Sequence, residues 1–507
     1  MEASIQSVFL TAKLKFHNPS QRRRALLLDA MRRAHLGYDK LLRTVRDDVE
    51  RLISGTEKTA YHEDIKALTL RLQVLARPLP LGNGPKQAII ADALAQAESY
   101  IELKRGNSET SYPTVSRLRV KPADRNALLD SFKTVTDILT QDELRDALAR
   151  LNRPGLPRPL NILKNRSSDG ALLLKDENGR LWVYINLLPK EAKRKRQVDL
   201  TGLMDTRTGE ILKTKTGGGD IFPISCGKWF EEKFLSRGTL QSSRLIYDGH
   251  DFYFACTFQF SVPVCGPSTY LGVDRGIELL AAWSVVDSNG VRKAHGAISG
   301  ERLRAIQRRE EKDQQSAQRR GKIYSRRTRG LIADEEIHKA ANQIVAKAIE
   351  FNAQVVMEDL STITMGPHQK RPKGARKGGF RRLLTRAQYA KLQHFLNYRL
   401  QMAGFPPIRR GGPAYLTVSA AYTSLTCSRC GHAARENRQS QALFLCASCS
   451  YKENADINAA TIIAYKGIHF DSVIRGRTKG KKLKEDEKFA AWLAARKNGG
   501  GNAVVCS

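Results

Sequence analysis

Four cysteines near the C-terminal end of this 507-residue chain form two pairs, each with two residues between its members and fifteen between the pairs. They are Cys427, Cys430, Cys446 and Cys449. Four thiolates at this spacing fill the tetrahedral coordination shell of Zn²⁺. A redox-active pair is the alternative for a single C-x2-C, but a second pair in register favours metal. The spacing predicts a zinc ribbon around a structural ion, with no coordination position left for water.

The charge of the chain is strongly unbalanced, with 85 basic against 51 acidic residues and a formal net charge of +34. Apolar residues make up 41%, which is ordinary for a globular protein of several domains. Basic side chains that bind phosphates release condensed counterions, so a nucleic acid is the expected partner, and a ribosomal-type basic protein is the alternative. The first 30 residues lack an apolar signal core, and we expect no membrane segment, a cytoplasmic location and reduced thiols.

The N-terminal half changes twice in its hydrophobic pattern. Residues 4–16 alternate as a strand, and Ser20 then caps a predicted long helix whose apolar stripe runs from Leu27 to Leu52. Further helices are predicted to about residue 151, one of them opening with a capping box at Thr140, before a Pro-rich break. From 162 to 265 the pattern returns to strands. We therefore expect an antiparallel β domain with a helical insertion after its first strand.

Residues 268–475 have an α/β pattern. Strands are predicted at 271–274, 279–286 and 355–357, with a basic helix over 300–329 and a second helix with one apolar stripe from Ile337 to Phe351. The Lys-rich and Gly-rich tail after residue 476 is predicted to be mobile.

Three carboxylates occupy comparable positions in this half of the chain. Asp274 and Glu358 each follow a short apolar strand, and Asp456 precedes a run of small residues seven positions after the last ribbon cysteine. Taken singly, they are also compatible with a turn residue, an exposed strand end and a helix cap. As an ordered set they are typical of a Mg²⁺ site for phosphodiester hydrolysis, because Mg²⁺ takes hard oxygen ligands from a few Asp or Glu side chains. Asp359 is predicted to point to the other side of its strand.

The motifs around these residues resemble a known family. Residues 271–276, 355–360 and 456–460 resemble the three split motifs of a RuvC-type nuclease domain, and residues 421–431 resemble the start of the zinc ribbon inserted in TnpB proteins and compact type V CRISPR effectors. The order of the N-terminal parts is similar to that family in layout only.

The resemblance implies a multidomain α+β and α/β fold. An N-terminal β-barrel (wedge) domain would carry a helical recognition insertion, and a C-terminal RNase H-like RuvC domain would carry the ribbon. The implied boundaries are the first wedge strand at 1–18, the recognition domain at 19–155, the rest of the wedge at 156–267, RuvC at 268–420 and 454–475, the ribbon at 421–453 and a basic tail at 476–507.

The resemblance also implies a function. It indicates an RNA-guided, Mg²⁺-dependent DNA endonuclease of prokaryotic cytoplasm, with Asp274, Glu358 and Asp456 as catalytic ligands of two Mg²⁺ ions, or of Mn²⁺, and a structural Zn²⁺. The expected partners are a guide RNA, from a CRISPR array or a transposon, and target double-stranded DNA. The protein would act as a monomer or as a guide-bound homodimer, without a membrane partner.

Two other functions stay open at this point. Arg275 stands where TnpB proteins often have an apolar residue, and Asn454 stands close to where a basic residue is common. A guide-dependent DNA-binding protein that silences its target with little or no cleavage is the first alternative. A guide-free, structure-selective nuclease is the second.

Two basic segments are candidate nucleic-acid contacts. Residues 302–329 carry eleven basic residues, and the Gly- and Pro-containing stretch 370–382 carries seven without an acid. Each segment is also compatible with a solvated surface; if they bind, they would contact the phosphate backbone and read shape, not sequence. The candidate contacts are Arg319, Arg320, Arg326, Arg327, Lys370, Arg371, Lys373, Arg376, Lys377 and Arg381.

Overall fold

The computed structural model describes residues 4–53, 58–107, 109–113, 156–189, 197–276, 279–321, 327–359, 389–409 and 411–474. It divides into an N-terminal unit, Phe9–Phe260, and a C-terminal unit, Met1–Val8 with Ser261–Ser507. The capping box at Thr140, the Lys-rich tail and the basic stretch 370–382 lie outside the described residues. The predicted domain boundaries remain predictions.

An eight-stranded sheet is the frame of the N-terminal unit, in the order β2-β9-β10-β1-β8-β4-β3-β6. Strands β5 and β7 form a separate antiparallel pair. The strands are β1 (Ile5–Phe16), β2 (Leu160–Ile162), β3 (Ala171–Lys175), β4 (Leu181–Asn186), β5 (Gln197–Asp199), β6 (Met204–Asp205), β7 (Lys215–Gly217), β8 (Gly219–Ser225), β9 (Thr239–Tyr247) and β10 (Phe252–Pro263). Because β1 lies between β10 and β8, the helices that follow it in sequence are an insertion into one sheet.

The alternation in β10 shows why this segment is a strand. Phe252, Phe254, Phe258 and Phe260 are all buried, as expected when every second side chain points to the same face. Antiparallel pairing with β9 places Phe252 opposite Tyr247, across a turn in which Gly249 has a φ of +100°. That left-handed conformation favours glycine and allows the tight reversal.

Between β1 and β2, the described residues contain four helices: α1 (Gln21–Thr44), α2 (Arg46–Ile53), α3 (Lys58–Ala76) and α4 (Asn83–Gly106). Ser20 caps α1 as predicted, since its hydroxyl accepts from the backbone N of Arg23 at 3.4 Å. The single long helix expected to run to Leu52 was wrong, because α1 ends at Thr44 and α2 starts after Val45. None of the helices within the described ranges has the length and apolar character needed to cross a bilayer.

The C-terminal unit contains a mixed five-stranded sheet in the order β13-β12-β11-β14-β15. β12 pairs antiparallel with both β11 and β13, whereas β14 pairs parallel with β11 and β15 pairs parallel with β14. The strands are β11 (Thr269–Asp274), β12 (Leu279–Asp287), β13 (Arg292–Ser299), β14 (Ala353–Asp359) and β15 (Leu416–Ser419), with the ribbon hairpin β16 (Leu443–Leu445) and β17 (Lys452–Asn454). The helices are α5 (Glu301–Arg319), α6 (Arg327–Glu350), α7 (Tyr389–Met402) and α8 (Ala455–Ile474).

The two faces of β11 are covered by different helices. Leu271 and Val273 lie in one buried cluster with side chains of α6 and α7. On the other face, a Cβ added at Gly272 would lie 2.0 Å from the backbone O of Ala460 and 2.5 Å from the backbone N of Ala464. Only glycine lets α8 approach this strand so closely, and the close packing fixes the start of α8 relative to the end of β11.

Candidate active site

Asp274 and Glu358 lie at the carboxyl ends of two adjacent parallel strands. β11 and β14 pair in register up to Val273 and Met357, so Asp274 and Glu358 are the next residues of the two strands. Glu358 is buried, and Asp274 is partly buried. Carboxyl ends of parallel strands meet at one edge of a sheet, where ligands are commonly bound.

Asp456 reaches the same edge from the first turn of α8. The Asn454 Oδ1 atom accepts hydrogen bonds from the backbone N of Asp456 at 3.0 Å and of Ile457 at 3.2 Å, which caps the helix. A Cβ at Gly276 would lie 3.8 Å from Oδ2 of Asp456, so this carboxylate sits beside the segment that follows Asp274. The structure therefore brings together the three carboxylates that the sequence singled out.

The electrostatics of this cluster favour a cation. Burial raises the pKa of Asp274 well above its ordinary range, and the charges of Glu358 and Asp456 raise it further. Burial also raises the pKa values of Glu358 and Asp456. Carboxylates that share a buried site cannot all ionise unless positive charge compensates them. Their oxygen donors are those that Mg²⁺ prefers, so the chemistry of this donor set fits a divalent cation.

Glu358 is held from two sides by neighbouring polar groups. Arg275 is buried, and its Nη2 atom donates to the backbone O of Glu358 at 2.6 Å, which ties the end of β11 to the end of β14. The Thr423 hydroxyl bonds to the carboxylate of Glu358. The Arg275 contact holds the backbone of Glu358, and the Thr423 contact restricts the direction of its carboxylate.

Arg438 is a site residue that the sequence did not reveal. It comes from the ribbon, and its Nη2 atom donates to Oδ1 of Asp456 at 3.3 Å. Its charge lowers the pKa values of Asp274 and Glu358, against the larger effect of burial. The ribbon also contains Arg429 and Arg435, and no spacing rule separates Arg438 from them. The only sequence signal for Arg438 was that it is a basic residue inside the insertion between Glu358 and Asp456.

The ribbon cysteines form the cluster that their spacing predicts. Their four Sγ atoms all lie within 4.8 Å of one another, with 3.8 Å from Cys427 to Cys449 and 3.5 Å from Cys430 to Cys446. A tetrahedral Zn²⁺ site with Zn–S bonds of about 2.3 Å requires sulfur–sulfur separations of about 3.8 Å. Burial raises the pKa values of the Cys427 and Cys449 thiols, whereas the backbone N–H groups of Cys449 and Ser448 lower the pKa of the Cys446 thiol to about 7 despite its burial. The cluster fits a structural zinc ion.

The predicted nucleic-acid contacts are only partly described. Arg319 is the last residue of α5, Arg320 follows it, and both side chains are exposed. Arg327 is the first residue of α6. The remaining candidates, Arg326, Lys370, Arg371, Lys373, Arg376, Lys377 and Arg381, lie outside the described residues. Their contact with nucleic acid stays a prediction.

Comparisons with known proteins agree with the motifs. Residues 389–463 match the family model of the Cas12f1-like TNB domain. The chain is 26% identical over 334 residues to the CRISPR-associated endodeoxyribonuclease Cas12f1 of Sulfoacidibacillus thermotolerans, covering 61% of this chain and 69% of that protein. It is 30% identical over 223 residues to InsQ of Escherichia coli K12, which carries the name of an RNA-guided DNA endonuclease, covering 41% of this chain and 52% of InsQ.

A solved structure supports the fold. The cryo-EM structure of a Cas12f1–sgRNA–target DNA complex matches with a TM-score of 0.50 and 12% identity, covering 90% of this chain and 99% of that one. At this identity the match shows the mixed α/β fold alone. Together, the comparisons confirm the predicted resemblance to TnpB-like proteins and compact type V effectors.

Proposed function

We propose that this protein is an RNA-guided DNA endonuclease. It binds a guide RNA, recognises a short adjacent motif, opens target duplex DNA and hydrolyses phosphodiester bonds at Asp274, Glu358 and Asp456. The convergence of these three carboxylates at one sheet edge, beside an arginine from the ribbon, is the observation that carries the proposal. The names of the relatives, which include an endodeoxyribonuclease and an RNA-guided DNA endonuclease, agree with it.

Asp274, Glu358 and Asp456 would hold two divalent metal ions, Mg²⁺ or Mn²⁺. Bound at such a site, these ions supply activation of a water and stabilisation of the leaving oxygen. The chain itself positions the ligands: the parallel strands fix Asp274 and Glu358, and the Asn454 cap fixes Asp456. The five-stranded mixed sheet that carries Asp274 and Glu358 is the part of the fold that supports a RuvC-type assignment.

Arg438 and Arg275 have separate tasks in this mechanism. Arg438 places a positive charge next to Asp456, where it can meet a phosphate that enters the site. Arg275 holds the backbone of Glu358 and compensates part of the local negative charge. The ribbon thus contributes a functional side chain in addition to its own structural zinc.

Guide RNA and target double-stranded DNA are the proposed partners. The net charge of +34 supplies the attraction to phosphate backbones, and the Cas12f1 structure that this chain resembles contains an sgRNA and target DNA. Base pairing with the guide would then read the target sequence.

The decisive experiment combines purified protein, its native guide RNA, Mg²⁺ and duplex DNA with randomised flanking sequences. We expect cleavage that requires the guide and selects one flanking motif. Asp274→Ala should abolish cleavage, whereas Glu350→Ala, which removes an exposed carboxylate at the end of α6, should cut at the wild-type rate. Wild-type cleavage by Asp274→Ala would contradict the site assignment.

The same experiment separates the alternatives. Tight guide-dependent binding without nicking would identify a silencing protein, and cleavage without RNA would identify a structure-selective nuclease. The two residues that depart from the TnpB pattern both support the site, since Arg275 ties β11 to β14 and Asn454 caps α8. We therefore expect efficient cleavage.

A further inference from the structure

We propose that Asn437 and Asn458 are positioning residues that hold Arg438 against Asp456 and couple the folding of the cysteine cluster to the carboxylate site. The inference rests on the proposed function, in which Arg438 acts at that site. Among the described residues, the side-chain amides of Asn437 and Asn458 form hydrogen bonds with backbone groups, not with the cysteine sulfurs or the carboxylates. Both are fully buried.

Asn437 joins the two halves of the ribbon. Its Nδ2 atom donates to the backbone O of Leu425 and of His432, both at 2.9 Å, and these residues flank the first cysteine pair. Its Oδ1 atom accepts from the backbone N of Ala447 at 2.9 Å, directly after Cys446 of the second pair. One amide therefore binds both cysteine pairs, and its own backbone leads into Arg438.

Asn458 joins the ribbon to α8. Its Nδ2 atom donates to the backbone O of Thr426 at 2.8 Å, and its Oδ1 atom accepts from the backbone N of Ser428 at 3.0 Å. These two residues flank Cys427, so the first cysteine pair is docked on the helix two residues after Asp456. Because Asn458 both donates and accepts, it fixes the orientation of the first cysteine pair on α8 as well as its distance from the helix.

The two amides form a continuous connection from helix to arginine. Asn458 attaches the first cysteine pair to α8, and Asn437 attaches that pair to the segment that carries Arg438. Arg438 itself is partly exposed, with 27% of its side chain accessible, and an arginine has several rotatable bonds whose ordering costs free energy. When the backbone at Arg438 is held rigidly, its guanidinium samples a narrower range of positions.

Loss of this connection has a specific consequence for metal binding. Arg438 pairs with Asp456, so its charge competes with a divalent cation for that carboxylate. Displacing Arg438 should therefore tighten cation binding while it slows turnover. A defect that only destabilises the fold lowers the fraction of competent protein and leaves the affinity of that fraction unchanged.

The test is a Mn²⁺ titration followed by electron paramagnetic resonance on the zinc-loaded full-length protein. Asp274→Asn identifies which Mn²⁺ signal belongs to the carboxylate site. Asn458→Ala should lower the Mn²⁺ dissociation constant about threefold, the size expected for losing one partly exposed ion pair. Asn186→Ala, which removes a comparably buried amide from the N-terminal unit, should leave it unchanged.

A double-mutant cycle shows whether Asn458 acts through Arg438. In an Arg438→Ala background, Asn458→Ala should produce no further change in Mn²⁺ affinity. Hydrogen exchange at the Ser428 amide should accelerate in Asn458→Ala, and exchange at the Ala447 amide should accelerate in Asn437→Ala. If Asn458→Ala loses zinc, Asn458→Ser, which retains a smaller hydrogen-bonding group, is measured in the same way.

Three results would overturn the proposal: wild-type Mn²⁺ affinity in a zinc-loaded Asn458 variant, full additivity with Arg438→Ala, or unchanged exchange at Ser428. Because Mn²⁺ binding is measured without guide or DNA, it is independent of cleavage. A wild-type protein that never cuts DNA would contradict the proposed function and leave the titration to decide the role of the asparagines.

Discussion

Arg438 of the zinc ribbon donates a hydrogen bond to Asp456, in the first turn of α8, at 3.3 Å. The two residues lie eighteen positions apart in the sequence, with both members of the second cysteine pair between them. The segment 438–456, which contains the second cysteine pair, therefore begins and ends at the carboxylate site. This arrangement makes the ribbon part of the proposed active site, and it leads to the first prediction.

Arg438→Ala should slow cleavage about 100-fold, because a positioned donor of positive charge at the reacting phosphate contributes on that scale. The rate should be measured in single turnover with saturating guide, DNA and Mg²⁺, so that binding does not limit it. Arg435→Ala is the matched control, since Arg435 is an exposed arginine in the same turn of the ribbon. Equal rates for the two variants would remove Arg438 from the mechanism.

Asp274→Asn should abolish cleavage and stabilise the metal-free protein. Asp274 is destabilised when charged by burial and by the charges of Glu358 and Asp456, and all three causes raise its pKa. Arg275 and Arg438 compensate this buried charge only in part, so replacing it by a neutral isostere should raise the free energy of unfolding by about 1 kcal/mol or more. Thermal unfolding at neutral pH without divalent metal, with the zinc retained, measures this. Added Mg²⁺ should stabilise the wild type and not the variant.

The difference in stability between the wild type and Asp274→Asn should change with pH in a definite direction. A carboxyl group whose pKa is raised in the folded state is favourable below its unfolded pKa, and the stability it gives is lost as pH rises through the folded pKa. The wild type should therefore approach Asp274→Asn in stability at acidic pH and fall behind it as the pH increases. A gap that widens on acidification would contradict the direction of the pKa shift.

The carboxylates were predictable because each stands at a boundary that the hydrophobic pattern marks. Asp274 and Glu358 follow apolar strands, and Asp456 follows the second cysteine pair. The strict alternation of apolar residues in β10 likewise predicted which face of that strand is buried. In contrast, the end of α1 at Thr44 was not predictable, since the apolar stripe continues in register into α2.

The roles of Arg438, Asn437 and Asn458 could not be predicted from the sequence, for another reason. Their partners are brought near by the chain reversal around the cysteines, and hydrogen bonds between a side chain and distant backbone leave no period in the sequence. Asn458 lies inside the motif at residues 456–460, yet its contacts to Thr426 and Ser428, about thirty residues away, form only in the folded ribbon.

Gly272→Ala should destabilise the C-terminal unit by about 3 kcal/mol, because the new Cβ would overlap the backbone of α8 and neither backbone segment can move freely. The nearest atom, the backbone O of Ala460, would be 2.0 Å away. Denaturant unfolding gives the free energy. Gly266→Ala is the control, since a Cβ there meets nothing within 4 Å and should change stability by less than about 0.5 kcal/mol. Similar values for the two variants would mean that α8 does not pack tightly on β11.

Cys430→Ser should prevent binding of the proposed zinc and abolish the proposed cleavage without unfolding the rest of the C-terminal unit. A structural zinc site contributes on the order of 10 kcal/mol to the folding of its module, so the ribbon should lose its structure. The five-stranded sheet and α8 keep their own buried clusters, which contain no cysteine.

Zinc stoichiometry should fall from one per chain to none. Hydrogen exchange should rise over residues 421–454 and at the amides of Asp456 and Ile457, which Asn454 caps, but not in β11 or the rest of α8. Cleavage should decrease at least as much as in Arg438→Ala, because the displaced ribbon removes Arg438 from Asp456. Cys226→Ser, outside the cluster, should retain zinc and activity. Normal cleavage by a zinc-free Cys430→Ser protein would show that the ribbon does not position the arginine, and that the carboxylates act without it.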